Sequence, residues 1–321
     1  MGSIRTRLYV ILKYRYPIIP LTALFIFSFI IHSRHENRIG GVSKLKVEPP
    51  NFMQHFDKTC QTDIPRIIHQ SYISLETLPE KWKTVPDEWK ETHPDFEYRF
   101  WSDESNRELI RTKYPWFLSV YDGYPNPISR ADAARYFVIY TYGGIYSDMD
   151  ITPLKSITAP LLCHVNGDGK EMIVMETPNL GVTNSFFAAK SNSTILNALI
   201  HDLPNHQRPL LGYFSPHLAV LFSAGTTRYW MTVSQYPQLT VSVPAKVWNK
   251  CSVCEPTCPQ TDPIFRHLVG SSWHRSDGMI FNWSFCHAKF LIGLCACAFV
   301  MTTVWFILRS RNGRKVNLRD N

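Results

Sequence analysis

The pattern of apolar and polar positions predicts alternating strands and helices in the middle of the chain. A β-branched run over residues 64–70 and an alternating run over residues 96–101 predict two strands. Between these strands, apolar residues recur at helical spacing and predict a helix over residues 81–91. Ser102 follows the second strand and is typical of a turn or a helix N-cap.

A longer helix and another strand follow. An alanine-rich segment predicts a helix over residues 129–140, with Ser129 as its cap. Gly143 and Gly144 can end this helix in the left-handed conformation, and residues 145–148 then form a strand. Further strands are predicted over residues 173–175 and 185–189. Strands that alternate with helices imply an α/β sheet that binds its ligands at the carboxyl ends of the strands.

Two apolar segments flank this region. Residues 290–308 contain no charge and no proline, and Arg309 follows directly. A helix of that length spans about 28 Å, close to the hydrocarbon thickness of a bilayer, and predicts a transmembrane helix. Residues 16–31 are either a cleaved signal peptide or a retained anchor. We favour the anchor, because the apolar region is long and no small-residue cleavage site follows it.

The charge lies at the two ends of the chain. The net charge is +8, but residues 1–17 carry four basic side chains and no acid, and residues 309–321 carry five basic side chains and one acid. Residues 18–308 are therefore neutral overall, which excludes a basic nucleic-acid surface on the body of the protein.

Basic tails beside two spans indicate that both termini are cytosolic. The predicted order is a cytosolic tail (1–15), an anchor (16–31), a polar stem (32–60), a luminal domain (61–289), a second span (290–308) and a cytosolic tail (309–321). We therefore expect a two-pass protein of the Golgi or endoplasmic reticulum membrane, and Asn192 and Asn282 are its candidate glycosylation sites.

The cysteines fit an oxidising compartment. Cys295 and Cys297 lie in the second predicted span, and six cysteines remain: Cys60, Cys163, Cys251, Cys254, Cys258 and Cys286. Three of these form a C-x2-C-x3-C segment that is either a zinc site or part of a disulfide framework. We favour disulfides, since a fourth ligand at finger-like spacing is missing.

The candidate chemistry lies at the end of the strand over residues 145–148. Asp148 and Asp150 are separated by one residue, and such a pair offers oxygen ligands to Mn²⁺ or Mg²⁺ on a diphosphate. Asp132 and Arg135 share one face of the preceding helix and can bind sugar hydroxyls. The competing interpretations are a solvated turn for the first pair and a surface ion pair for the second.

These motifs together resemble a known family. Residues 64–70 (IPRIIHQ), 98–103 (YRFWSD) and 129–150 (SRADAARYFVIYTYGGIYSDMD) are similar to the DXD-containing sugar-binding region of a retaining glycosyltransferase family. This family includes the initiating α-1,6-mannosyltransferase of the fungal Golgi and the catalytic subunits of mannosyl-inositol-phosphorylceramide synthase, and the clostridial glucosylating toxins are related to it. The resemblance covers residues 63–190 and implies a GT-A-like mixed sheet flanked by helices.

The resemblance also implies roles for individual residues. By position, Asp132 and Arg135 hold the donor sugar and serve as the catalytic residues. Asp148 contacts the ribose or the metal, and Asp150 binds the metal. Asn184 resembles an acceptor-side asparagine. In a second matching segment, over residues 270–274, Ser271 and Trp273 bind the donor diphosphate, and His274 completes the metal ligands.

The overall plan of two spans around one DXD domain is similar to the inositol-phosphorylceramide mannosyltransferases. The resemblance implies a retaining transfer of mannose from GDP-mannose to that sphingolipid, a divalent metal (Mn²⁺ in preference to Mg²⁺), and a separate multi-span regulatory subunit. Two alternatives remain, a glycan- or protein-directed mannosyltransferase and a non-catalytic sugar-binding subunit. We further expect Arg135 to lower the pKa of Asp132, so that Asp132 is no general base.

Overall fold

The computed structural model describes residues 43–44, 61–156, 161–178, 181–255, 257, 264–268, 270 and 276–317. The chain divides into two compact units. One unit covers residues 34–278, and the described part of the other begins at Met279.

The strands are β1 (Ser43–Lys44), β2 (Ile67–Ser71), β3 (Glu97–Trp101), β4 (Gly144–Ser147), β5 (Ile151–Pro153), β6 (Met172–Glu176), β7 (Val182–Ala189), β8 (Thr240–Val243) and β9 (Phe265–His267). The α-helices are α1 (Val85–Thr92), α2 (Asp103–Lys113), α3 (Leu118–Asp122), α4 (Pro127–Tyr142), α5 (Thr194–Asp202), α6 (Pro216–Ser223), α7 (Thr226–Val233), α8 (Ser276–Cys286) and α9 (Ala288–Asn317).

A seven-stranded mixed sheet organises the first unit, with the strand order β1-β8-β6-β7-β4-β2-β3. Strand β7 runs antiparallel to its neighbours β6 and β4, whereas the other neighbouring pairs of this sheet are parallel. A second, two-stranded sheet pairs β5 with β9. The predicted α/β class is confirmed, as a mixed sheet with helices packed against it.

Each face of the sheet carries its own apolar core. Along β6, Ile173 packs into one core while Met172 and Val174 pack into the other, as the two-residue period of a strand requires. Helix α4 belongs to the second core and is buried over most of its length. The polar side chains on its buried positions, Ser129, Asp132 and Arg135, are therefore surrounded by the core and need hydrogen-bonding or charged partners.

The helix predicted over residues 81–91 is interrupted. A 3-10 turn covers Glu80–Trp82, and α1 begins only at Val85. Pro86 explains the boundary, since proline lacks an N–H and is tolerated in the first turn of a helix. The predicted apolar face is nevertheless confirmed, because Trp82, Val85 and Trp89 are all buried.

The predicted cap of the longest helix of this unit is wrong. Helix α4 begins at Pro127, so Ser129 lies inside the first turn, where its hydroxyl pairs with that of Ser223 at 3.1 Å. Proline at the first helical position again determines where the helix begins. The predicted end is confirmed, because Gly143 follows the helix with a φ of 65°. A Cβ at Gly143 would lie 2.7 Å from Pro65, so only glycine fits this turn. Ser102 is confirmed as an N-cap of α2, accepting from the Ser105 N–H.

A buried histidine joins this turn to the sheet. His69 on β2 is fully buried, with Nε2 3.0 Å from the carbonyl of Gly143. The indole N–H of Trp101 donates to Nδ1 of His69 at 2.9 Å. A ring that accepts at one nitrogen and donates at the other is neutral, and burial together with the nearby Arg99 lowers the pKa of His69 to about 3.

We expect His69 to make the fold sensitive to acid. The unfolded chain takes up this proton near the ordinary histidine pKa, whereas the folded chain does so only near pH 3. The contribution of His69 to stability is therefore present above about pH 6.5 and is lost as the pH falls towards 3. Thermal unfolding between pH 7.5 and pH 5 should show the Tm advantage of the native chain over His69→Gln shrinking. An advantage that is constant over this range would contradict the prediction.

Among the described residues, one helical stretch, Ala288–Trp305 within α9, is long and apolar enough to cross a membrane. The predicted anchor over residues 16–31 lies outside the described residues, as do Cys60 and Cys258. Cys163, Cys251, Cys254 and Cys286 are disulfide-bonded, which confirms disulfides over zinc for the described cysteines of the C-x2-C-x3-C segment. Cys295 and Cys297 are free.

The two candidate glycosylation sites differ in exposure. Asn192 is exposed in the turn before α5, with a φ of 55°, whereas Asn282 is half-buried on α8. Glycosylation at both remains a prediction.

Candidate active site

The two carboxylates of the D-x-D motif follow β4 directly. Met149 between them is buried in the apolar core, which turns Asp148 and Asp150 away from it. The Asp148 N–H donates to the Ser185 carbonyl at 2.8 Å, and the Asp150 carbonyl accepts from the Leu268 N–H at 2.7 Å. The backbone of the motif is thus held from β7 on one side and from the segment after β9 on the other.

Arg135 connects the two predicted pairs of residues. Its guanidinium lies 2.9 Å from Asp132 and 2.9 Å from Asp148, and it also donates to the backbone carbonyl of Asn184 at 2.9 Å. Its Cζ lies 4.6 Å from the ring centre of Tyr146. Arg135 and Asp132 are buried, so the surface ion pair is excluded. The sequence-predicted residues Asp132, Arg135 and Asp148 form one charged network.

Asn184 belongs to the same network. Its side-chain amide nitrogen donates to Asp132 at 2.9 Å and to the hydroxyl of Tyr136 at 2.8 Å. Its side-chain oxygen accepts from the Thr226 hydroxyl at 2.7 Å. Asn184 therefore fixes the orientation of Asp132 in this structure. Its role on the acceptor side remains a prediction.

The negative charges of Asp148 and Asp150 are disfavoured by their surroundings, and the pKa values of both are raised. Burial raises the pKa of Asp148, although Arg135 and the hydroxyl of Tyr146, which donates at 3.1 Å, oppose the shift. Burial and the charge of Asp148 raise the pKa of Asp150 to about 6, against the opposing charge of Lys250. Two neighbouring half-buried carboxylates repel each other, and a bound cation relieves this repulsion.

The expected direction of the Asp132 pKa is wrong. Arg135 does pair with Asp132, but burial opposes the charged form more strongly, and Asp148 adds repulsion, so the pKa rises to about 6. The sequence shows the ion pair but not its burial, and burial is the larger effect here. Asp132 is thus an ionised carboxylate at neutral pH that takes up a proton more readily than an ordinary aspartate.

A cavity of about 420 Å³ opens over this network. Its lining includes Tyr72, Trp82, Arg135, Asp148, Asp150 and His217. The volume is within the range of pockets that bury a ligand of the size of a nucleotide sugar. Asp132 is not among the lining residues, but its ion pair with Arg135 orients the guanidinium that lines the cavity.

Several residues of this site were not predicted from the sequence. Tyr146 lies in the strand before the D-x-D motif, where its spacing of two from Asp148 was the available signal. His217 and Lys250 come from distant segments without a motif, so only the fold brings them here. Trp82, on the apolar face predicted over residues 81–91, is buried and also lines the cavity.

Gly270, the first residue of the predicted diphosphate-binding segment 270–274, contacts the D-x-D motif. A Cβ on Gly270 would overlap the carboxylate of Asp150, so Gly270 lies directly against it. Ser271, Trp273 and His274 fall outside the described residues. Within the described part of the chain, no group of three or more acidic, histidine or cysteine side chains is arranged to hold a metal ion.

Comparison with protein families identifies the same region. Residues 79–175 match the model of the glycosyltransferase sugar-binding region containing a DXD motif. The chain is 36% identical over 228 residues to inositol phosphoceramide mannosyltransferase 3 of Schizosaccharomyces pombe, covering 69% of this chain and 60% of that protein. It is 31% identical over 261 residues to inositol phosphoceramide mannosyltransferase 1 of the same yeast, covering 79% of this chain and 76% of that protein.

Among solved structures, the PaToxG glycosyltransferase matches with a TM-score of 0.41 and 15% sequence identity, covering 65% of this chain and 80% of that one.

Proposed function

The chain belongs to the family of the inositol phosphoceramide mannosyltransferases, and from this membership we propose that it transfers mannose from GDP-mannose to inositol phosphorylceramide. The observation that carries the proposal is the convergence of Arg135, Asp148 and Asp150 on one cavity. These residues supply the positive charge and the oxygen ligands that binding of a sugar diphosphate requires.

A divalent metal fits the two carboxylates of the motif. Asp148 and Asp150 would hold it, because they offer carboxylate oxygens whose charged form is disfavoured by burial and would be stabilised by a cation. We propose Mn²⁺ in preference to Mg²⁺, as the family resemblance implies. When bound, the ion supplies positive charge against the leaving diphosphate. In our proposal His274 is the further protein ligand.

The protein's own groups orient the donor. Arg135, held by Asp132 and Asp148, lines the cavity, and we propose that it binds donor oxygens there. Asp132 accepts from Asn184 and Arg135, so its carboxylate is aligned before the sugar arrives. We propose a reaction with retention of configuration, as in the family that the motifs resemble. The charged transition state is stabilised by groups that are already in position.

A lipid acceptor is compatible with the predicted membrane-spanning helices. The apolar helix Ala288–Trp305 begins fourteen residues after His274 in the sequence, so its insertion into a bilayer would keep the catalytic domain close to a lipid surface. We propose a two-pass topology with a luminal catalytic domain in the Golgi or endoplasmic reticulum membrane. A multi-span regulatory subunit is the expected partner.

The first test uses the purified full chain in detergent with Mn²⁺, offered GDP-mannose or UDP-glucose and inositol phosphorylceramide. We expect mannosylated lipid that disappears when EDTA removes the metal. Hydrolysis of GDP-mannose without lipid product would contradict inositol phosphorylceramide as the acceptor. Glycosylated lipid formed with UDP-glucose but not with GDP-mannose would contradict GDP-mannose as the donor. Absence of binding and turnover with either donor would favour a non-catalytic subunit.

Gly270 gives a second test of the metal assignment. Gly270→Ala places a methyl group against the carboxylate of Asp150, which must then move from its position. We expect the Mn²⁺ concentration for half-maximal activity to rise about tenfold or more, because metal ligands require accurate placement. Metal titration of activity measures this, with Gly293→Ala as the control, since a Cβ at Gly293 meets nothing within 4 Å and its helical backbone accepts any side chain. An unchanged metal requirement would argue against Asp150 as a ligand.

A further inference from the structure

An apolar turn stands out on the surface of the catalytic unit. The 3-10 turn Leu210–Tyr213 exposes Leu210 by 75%, Tyr213 by 78% and the following Phe214 by 74%. Scattered single apolar residues are common on protein surfaces, whereas several large ones in one short segment mark an interaction site.

The turn is held in place although its side chains point outward. Gly212 packs so closely on α6 that a Cβ there would lie 2.9 Å from the Cβ of Ala219. At the other end, the amide group of Gln207 donates to the Val120 carbonyl at 2.6 Å. The Phe214 N–H donates to the Leu211 carbonyl at 3.2 Å. A backbone fixed in this way presents a defined apolar protrusion.

This protrusion leads directly into the active site. Phe214 is two residues before Pro216, where α6 begins, and Pro216 and His217 both line the cavity. Asp277 fastens the junction, since it accepts from the Ser215 hydroxyl at 2.6 Å and from the His217 N–H at 2.9 Å. A surface that binds the protrusion therefore lies next to the edge of the cavity.

The composition of the segment indicates a lipid surface as the occupant. Residues 207–214 contain no acidic side chain, and the exposed Arg208 adds a positive charge beside Leu210, Tyr213 and Phe214. Large apolar and aromatic side chains next to a basic residue are typical of segments that lie in the interface of a bilayer. An inositol phospholipid carries a negative phosphate, which the charge of Arg208 complements.

We propose that residues 208–214 dock on the bilayer surface, with Leu210, Tyr213 and Phe214 inserted into its interfacial region. The docked turn then holds a membrane-embedded inositol phospholipid at the side of the cavity formed by His217. The identity of this headgroup rests on the proposed function, whereas insertion into the bilayer does not.

Activity against two forms of the acceptor tests the proposal. The combined variant Leu210→Gln, Tyr213→Gln, Phe214→Gln is compared with Met231→Gln, which changes a 40% exposed apolar residue on α7. We expect transfer to inositol phosphorylceramide in phosphatidylcholine vesicles to fall about tenfold or more, since three apolar side chains lose their burial. Transfer to water-soluble glycerophosphoinositol and the activity of the control should be unchanged. An equal loss with both acceptors, or no loss with either, would overturn the proposal.

A second measurement is independent of catalysis. The full chain with Cys295→Ala and Cys297→Ala carries an environment-sensitive fluorophore at Tyr213→Cys or, as a control, at Met231→Cys, and is reconstituted in the same vesicles. Nitroxide groups on the lipid acyl chains should quench the fluorophore at position 213 and spare the one at position 231.

The outcomes separate this inference from the proposed function. Quenching at position 213 without mannosyl transfer by the native chain would leave the docking surface standing and refute the function. Mannosyl transfer without quenching would refute the docking surface. Shielding of position 213 only after a second membrane protein is added would identify a protein as the occupant and would also overturn the proposal.

Discussion

Replacing Asp150 with Asn is expected to lower kcat/KM for mannosyl transfer by about a thousandfold or more, while the fold remains intact. The amide group keeps the size of the side chain but removes the negative charge that holds the metal. Burial and Asp148 raise the pKa of Asp150 to about 6, so at pH 7.5 its negative charge is less stable in the folded chain than in the unfolded chain. Removing that charge should therefore leave the Tm unchanged or raise it.

Steady-state kinetics with GDP-mannose, paired with thermal unfolding at pH 7.5, measures both effects. The control is Asp168→Asn, which changes an exposed aspartate outside the cavity lining and should retain full activity. A loss of activity together with a lower Tm would indicate that Asp150 supports the fold. Retained activity would remove the D-x-D motif from the mechanism.

Replacing Arg135 with Met is expected to abolish transfer and also to destabilise the fold by about 3–5 kcal/mol, the typical cost of breaking a buried ion pair on one side. The substitution leaves the buried Asp132 and the half-buried Asp148 without their common cation. It also leaves the backbone carbonyl of Asn184 without the hydrogen bond that Arg135 donates to it. In contrast to Asp150→Asn, activity and stability should fall together.

A double-mutant cycle checks this explanation. Asp132→Asn combined with Arg135→Met removes one of the two stranded charges, so it should recover part of the lost free energy of unfolding without recovering activity. Denaturant unfolding gives the four free energies. Additive losses from the two single variants would mean that Asp132 and Arg135 do not act as a pair.

The local elements followed from the sequence wherever short-range geometry decides them. The left-handed turn at Gly143 was predicted from a glycine pair after an apolar helix, and the Ser102 cap was predicted from its place after a strand. The errors also have local causes, since Pro86 and Pro127 determine where α1 and α4 begin. A proline fits the first turn of a helix, and this constraint outweighs a capping preference.

The site was only partly predictable. Asp132, Arg135, Asp148 and Asp150 lie within nineteen residues of one another in the sequence, so their spacing on one helix and one strand end predicted a common site. Their electrostatics was not predictable, because the periodicity of α4 does not show that the helix is buried between the sheet and its neighbours. The raised pKa of Asp132 follows from that burial.

The sequence by itself determined the α/β class of the first unit, the order of its central strands and helices, and the four charged residues at the centre of the site. Those properties depend on composition, on helix and strand periods, and on motifs within a short stretch of chain. Only the tertiary structure brought His217 and Trp82 to the cavity, put the charge of Lys250 near Asp150, and left the apolar turn of residues 210–214 exposed. Contacts between segments far apart in sequence arise from the packing of whole elements around a core, and no local pattern encodes which distant side chains that packing will bring together.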